Sequence, residues 1–171
     1  KQPLSLRMWS YILIISSKKG LDPSKPVHLF GAGHPIIFPF AVALGCDFFD
    51  SAAYAKFAHD KRFLFPEGTE KLDDLTELPC SCPTCSKYTI TEFKKLGEKE
   101  IIREIASHNL HISFTEIKRI RNAIRNGTLW ELVERRANSN PYLLNALSEL
   151  SQEKNKVWLE QYEPISKNKA L

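Results

Sequence analysis

Apolar residues fall in distinct patterns along the chain, and each pattern predicts an element. Residues 4 to 18 include the run Tyr11-Ile12-Leu13-Ile14-Ile15 and end at Gly20 and Pro23, which reads as a buried helix. Val27-His28-Leu29-Phe30 is short, apolar and stopped by Gly31-Ala32-Gly33, so it predicts a buried strand ending in a tight turn. Residues 35 to 44 are apolar for long enough to be a helix, with Pro35 tolerated in the first turn and Gly45 closing it. Cys46-Asp47-Phe48-Phe49-Asp50 then gives a second short strand. Strand, glycine turn, helix and strand within about 25 residues make a βαβ unit with a parallel pair.

The period changes after Asp50. Ser51 to Asp60 predicts a short helix, and Arg62 to Phe65 a strand leading into a Pro66-Glu67-Gly68-Thr69 turn. From Thr91 onward the spacing is helical. Ile101, Ile102 and Ile105 form one apolar stripe, and Ile117, Ile120 and Ile124 another, closed by Asn126-Gly127. Leu129, Leu132 and Val133 begin a further helix, and Pro141 starts one more. The class is α/β, with no internal repeat and no low-complexity segment.

Composition narrows the partners. At 171 residues, with 43% hydrophobic and 26% charged, the chain has the profile of a folded protein with room for a core. A net charge of +4 suits an RNA partner without requiring one. Lys118, Arg119, Arg121, Arg125, Arg135 and Arg136 suggest a basic helical surface, but Glu116, Glu131 and Glu134 interleave with them, so a solvated face is expected. No run reaches the roughly 18 apolar residues of a membrane span. Arg7 precedes an apolar run without a cleavage pattern after it, which argues against a signal peptide. The chain opens at Lys1 and its only methionine is Met8, so the start reads as a truncation.

The four cysteines are Cys46, Cys80, Cys82 and Cys85, and three of them lie within six residues. That spacing is a poor disulfide framework and a good metal framework, and it points to a cytosolic (cytoplasmic) protein. Zinc takes four N or S ligands in a tetrahedron, and so tight a loop supplies three. The fourth must come from elsewhere: His108 and His111 lie 22 and 25 intervening residues beyond Cys85. A site filled by four protein ligands leaves no open position, so a structural role is expected. Cys46, on a predicted buried strand, reads as packing.

Several segments together resemble the tRNA-guanine transglycosylases: His28-Leu29-Phe30-Gly31-Ala32-Gly33-His34-Pro35, Gly45 through Ala52, Pro66-Glu67-Gly68-Thr69, Pro79 through Cys85, and His108-Asn109-Leu110. The Gly-Ala-Gly-His-Pro turn, Asp50-Ser51-Ala52 and the tail Tyr162-Glu163-Pro164-Ile165 look like the archaeal branch. The resemblance implies the C-terminal portion of a TIM (β/α)8 barrel carrying an inserted zinc-binding subdomain and a helical C-terminal extension. It divides the chain into barrel units over residues 1–60, a zinc module over 61–112 and a helical segment over 113–171. It also implies that Cys80, Cys82, Cys85 and His108, in place of His111, hold structural Zn2+.

Such enzymes exchange guanine in tRNA for a 7-deazaguanine base, in the archaeal branch 7-cyano-7-deazaguanine on the way to archaeosine. Exchange at a ribose C1′ needs a carboxylate opposite the leaving base, by the logic of retaining glycosidases, and a second group to handle the base's proton. Asp50 ends a short barrel-type strand, where catalytic residues of such barrels sit, and the resemblance makes it the nucleophile. The residues alone would more often make Asp50 a helix N-cap before Ser51-Ala52-Ala53. Gly31 and Gly33 are expected at the tRNA or substrate, or as a plain turn; His34 at a phosphate, or capping the helix after it; and Ser51 beside them. Asp47 is expected to be structural.

A complete barrel needs eight βα units and about 250 residues, so the resemblance also implies a chain or segment supplying the N-terminal half, and exposed strand edges favouring association, including a homodimer. A non-catalytic tRNA-binding subunit, a queuine-type enzyme and a DNA-acting relative are the competing readings.

Overall fold

The computed structural model describes residues 14–22, 24–152 and, beyond them, Asn155, Val157 and Leu159. Residues 14–19 are helical (α1); the expected start of that helix, and the tail motif Tyr162 to Ile165, lie outside the described residues. Strand β1 (His28–Phe30) leads through Gly31 into a 3₁₀ turn (Pro35–Ile37) and helix α2 (Phe38–Ala43), then strand β2 (Phe48–Asp50). The strands pair in parallel, with His28 opposite Phe48, Leu29 opposite Phe49 and Phe30 opposite Asp50. The expected βαβ unit is therefore present. Its helix is split because Pro35 opens a 3₁₀ turn and Pro39 follows at the head of α2.

One expectation for this unit is corrected. The strands are not buried on both faces: Leu29 and Phe49 pack against the core, while Phe30 is 82% and Phe48 59% exposed. With one residue per face at alternate positions, His28, Phe30, Phe48 and Asp50 form a single bare face. Cys46 is buried as expected, but in the loop before β2, whose amide hydrogen-bonds Ala41 O.

Helix α3 (Ala53–His59) is followed by a hairpin of β3 (Arg62–Phe65) and β4 (Gly68–Lys71). This corrects the expected turn over residues 66 to 69, because Gly68 and Thr69 pair with Phe65 and Leu64, leaving Pro66-Glu67 as a two-residue loop. Helix α4 (Ile90–Phe93) begins one residue earlier than expected, set by a capping box in which Thr89 and Glu92 each bond the other's backbone amide.

The two isoleucine stripes belong to one helix, α5 (Glu98–Asn126), 29 residues long. Its buried face runs Ile101, Ile105, His108, Asn109, Ile112, Glu116, Ile120 and Ala123, spacings of three and four with a polar stretch in the middle. Gly127, with φ of 67°, ends it in a left-handed cap that an L side chain would strain. Helices α6 (Leu129–Ala137) and α7 (Pro141–Leu150) follow.

Two apolar cores result. One joins α1, α2, the C-terminal half of α5, α6 and α7 around Phe40, Leu44, Ile120 and Val133. The other joins α3, β3, the cysteine loop, α4 and the N-terminal half of α5 around Phe63, Phe93 and Ile105. Helix α5 serves both and runs unbroken past residues 112 and 113. A buried ion pair reinforces the joint: Arg136 on α6 donates to Glu116 on α5 at 2.7 and 2.9 Å, and to Glu67 at the hairpin tip at 3.0 Å. No helix among the described residues is long and apolar enough to cross a membrane.

Candidate metal centre and aspartate cleft

Cys80, Cys82 and Cys85 sit on the loop between β4 and α4, and His108 reaches them from the middle of α5. The four donor atoms all lie within 4.8 Å of one another. His108 Nδ1 is 3.5 Å from the Cys80 sulfur, 3.3 Å from Cys82 and 3.4 Å from Cys85. A tetrahedral zinc with thiolate and imidazole bonds near 2.3 and 2.05 Å would set an S···N separation of about 3.6 Å, so the donors fit such an ion. His111 is exposed on α5 and outside the group. Cys46 lies in the other core.

The loop is shaped for thiolates. The amides of Cys82 and Cys85 point at the sulfurs of Cys80 and Cys82, each at 3.4 Å. The Cys85 thiol's hydrogen bond pulls Cys82 down to about 3. The same bond pushes Cys85 far above the ordinary thiol range, with burial adding to it. Burial raises Cys80. A bound cation would favour the thiolate form of all three sulfurs.

His108 is itself locked. It is fully buried, its Nε2 lies 3.0 Å from Leu64 O, and its ring meets Phe63 and Phe65 edge-on. A carbonyl only accepts, so Nε2 carries the proton and the Nδ1 lone pair faces the sulfurs. Asn109, equally buried, accepts from Leu64 N at 2.7 Å and donates to Arg62 O and Tyr54 O at 3.1 and 3.0 Å. Residues 62 and 64 are the positions whose backbone groups face away from β4, so two adjacent side chains cap an otherwise open strand edge. The pattern of apolar positions could not reveal Asn109, because its partners are backbone atoms 45 to 55 residues away.

Asp50 ends β2 on the bare face. Its carboxylate lies 3.5 Å from His28 Nε2 and accepts weakly from Gly31 N at 3.4 Å, while its carbonyl accepts from the same amide at 3.0 Å. It is therefore tied to the strand beside it, and it does not cap α3. Ser51 makes the local bond, accepting from Ala53 N at 3.0 Å. Gly31 turns the chain with φ of 75°. At Gly33 a Cβ would run into the Ser51 side chain and Ala53, so the close approach there is between two segments of this protein. His34 Nδ1 accepts from Ile36 N at 3.2 Å and caps the 3₁₀ turn. Asp47 accepts from Val27 N at 2.7 Å and braces the strands.

Gly33, Asp50, Ser51 and Tyr54 line an open cleft of about 290 Å³ together with Leu110, Ser113 and Phe114 of α5; Gly31 and His34 are outside its lining. The walls are largely apolar and Asp50, half exposed, is at the rim. His28 and Tyr54 were not singled out from the sequence; the parallel pairing brings His28 to Asp50, and Tyr54 follows Asp50 by four residues into the cleft lining.

The basic surface is smaller than its sequence suggests. Arg136 is buried and belongs to the ion pair, and Glu116 is fully buried beside it. Arg119 also reaches Glu116, at 3.4 Å, leaving Lys118, Arg121, Arg125 and Arg135 exposed.

The model of the family described as queuine tRNA-ribosyltransferase matches residues 7–142. A curated relative from Pyrococcus abyssi, a tRNA-guanine(15) transglycosylase, is 50% identical over 159 residues, covering 93% of this chain and 27% of the relative. Proteins of the same name from Methanococcus vannielii and Methanosarcina acetivorans are 52% and 51% identical, each over 91% of this chain and over 24% and 31% of their own length. The chain thus spans about a quarter to a third of the relatives it matches, corresponding to their C-terminal part.

Proposed function

The chain belongs to the tRNA-guanine transglycosylase family, and from that premise we propose that it forms the C-terminal part of the catalytic barrel of an archaeal-type enzyme. That enzyme exchanges guanine in tRNA for 7-cyano-7-deazaguanine, in archaeosine formation. The observation that carries the reading is Asp50: a half-exposed carboxylate at the carboxyl end of a parallel strand, on the bare face, beside an apolar cleft. Barrel enzymes carry their chemistry at the carboxyl ends of their strands. The face bearing His28, Phe30, Phe48 and Asp50 is the one a closed barrel turns inward, and a preceding segment would supply the remaining strands.

In the proposed reaction an Asp50 oxygen bonds to ribose C1′ as the bond from C1′ to the guanine nitrogen breaks. The bonding electron pair leaves with guanine, which takes up a proton from a group on the preceding segment. The incoming base, deprotonated in turn, displaces the carboxylate, so the configuration at C1′ is retained. Gly33 and Ser51, in the cleft lining, would meet the nucleotide, and Gly31 and His34 shape the turn that carries Gly33. Cys80, Cys82, Cys85 and His108 would hold Zn2+, which supplies cross-linking of the loop to α5 and no reacting group.

The test joins this chain to the N-terminal remainder of the Pyrococcus abyssi relative and follows release of labelled guanine from tRNA. Release that requires the joined protein and disappears with Asp50→Ala supports the reading. Release that survives Asp50→Ala makes this part a metal-stabilised, non-catalytic support for tRNA binding.

A further inference from the structure

Asn109 is the most heavily committed polar side chain near the cleft, and neither metal coordination nor base exchange accounts for it. It is fully buried, and both of its N–H groups and its oxygen are used. Two of its three bonds go to β3, where with His108 it completes the strand edge. The third goes to Tyr54 O in the first turn of α3, four residues after Asp50. Tyr54 and Leu110, next to Asn109, both line the cleft.

We infer that Asn109 is a positioning residue: it fixes the Tyr54 part of the cleft lining to the helix that carries the metal ligand, so the metal centre sets the shape of the cleft beside Asp50. His108 and Asn109 hold opposite backbone groups of the same residue, Leu64 O and Leu64 N. A metal ion that fixes His108 therefore fixes the register of α5 against β3, and Asn109 passes that register to α3. Without the ion, His108 is freer to move, β3 loosens, and the bond to Tyr54 O is strained along with the bonds to β3. Coupling of this kind is carried by contiguous contacts with defined partners, and here the path is three hydrogen bonds long.

The inference rests on the proposed function only for the cleft's purpose; its test does not use transglycosylation. The chain is loaded with Co2+ and followed by its thiolate-to-cobalt absorption and by amide exchange. Removing the ion from the unaltered chain with a chelator should speed exchange in Arg62–Phe65 and in Ala53–His59 together, leaving Phe38–Ala43 protected. Asn109→Asp keeps size and acceptor but turns acceptor oxygens toward two carbonyls. It should weaken Co2+ binding by about tenfold or more and expose Ala53–His59, while the absorption of the loaded site, which keeps its four donors, is unchanged. A chelated chain whose β3 opens while α3 stays protected overturns the inference. So does an Asn109→Asp chain with unaltered exchange in α3. If Asn109→Asp also exposes Phe38–Ala43 and has lost its fold, the chelation result decides. Base exchange that fails to depend on Asp50 would remove the proposed function and leave these readouts where they are.

Discussion

The carbonyl of Leu64 lies 3.0 Å from Nε2 of His108, and that contact determines which ring nitrogen faces the three thiols. Nitrogen-15 spectra of the zinc-loaded chain should therefore show a protonated Nε2 and a metal-bound Nδ1 at His108. A metal-bound Nε2 would mean that the ring turns over on loading and that the bond to Leu64 is lost.

Cysteine replacement should separate the two cores. Cys82→Ser should leave a three-donor site and lower zinc affinity by at least about 100-fold, whereas Cys46→Ala, in the other core, should leave metal content at one ion per chain. Metal analysis after dialysis against a weak chelator reads both. Equal loss in the two variants would place Cys46 in the metal group.

Arg136 and Glu116 are buried together, so removing one strands the other. Arg136→Leu should cost about 3–5 kcal/mol in denaturant unfolding, and Arg136→Leu with Glu116→Leu clearly less, because the pair's desolvation goes with it. Costs that simply add would show that the two do not interact.

Gly33→Ala should destabilise the chain by about 1–3 kcal/mol, since the new methyl has nowhere to go except into Ser51 and Ala53. Gly31 presents open space to a side chain but sits at φ of 75°, so Gly31→Ala should cost about 1 kcal/mol for backbone reasons alone. Thermal melts of the two variants give the order; a Gly33→Ala chain as stable as the parent would mean that the Ser51 turn yields.

Glu92 gives a pH dependence of known sign. The Thr89 amide and hydroxyl hold its carboxyl below its ordinary value, so the cap is at full strength above the ordinary carboxylate range and is lost as pH falls through the lowered value. Amide exchange in Ile90–Phe93 should accelerate over that acid window and not at neutral pH. Thr89→Ala should shift the carboxyl titration upward and weaken the helix start by about 1 kcal/mol.

What could be read from the chain differs between its parts for physical reasons. The βαβ unit was legible because Gly31, Pro35 and Gly45 punctuate runs of the right length, and the metal loop because three cysteines within six residues match metal-ligand spacing far better than a disulfide framework. The long helix was not, because His108, Asn109 and Glu116 occupy its buried face and break the apolar stripe into two. The hairpin was obscured by Pro66-Glu67-Gly68-Thr69, whose turn-forming composition hides that only its first two residues turn. Nor could the chain reveal that Arg136 leaves the surface. A charge run looks the same whether its members face water or one another, and only the depth of Glu116 decides it.

Helix α5 carries the metal ligand His108 toward one core and Ile120 toward the other, 12 residues and about 120° apart on a rod about 43 Å long. Each residue turns the helix by about 100°, so the helix sets an angular phase between the two halves it joins. Inserting one residue between Ile112 and Glu116 would leave every side chain intact and still change the angle between His108 and Ile120 by about 100°. This stretch should therefore tolerate exchanged residues far better than altered length, whereas the hairpin and surface loops should tolerate both.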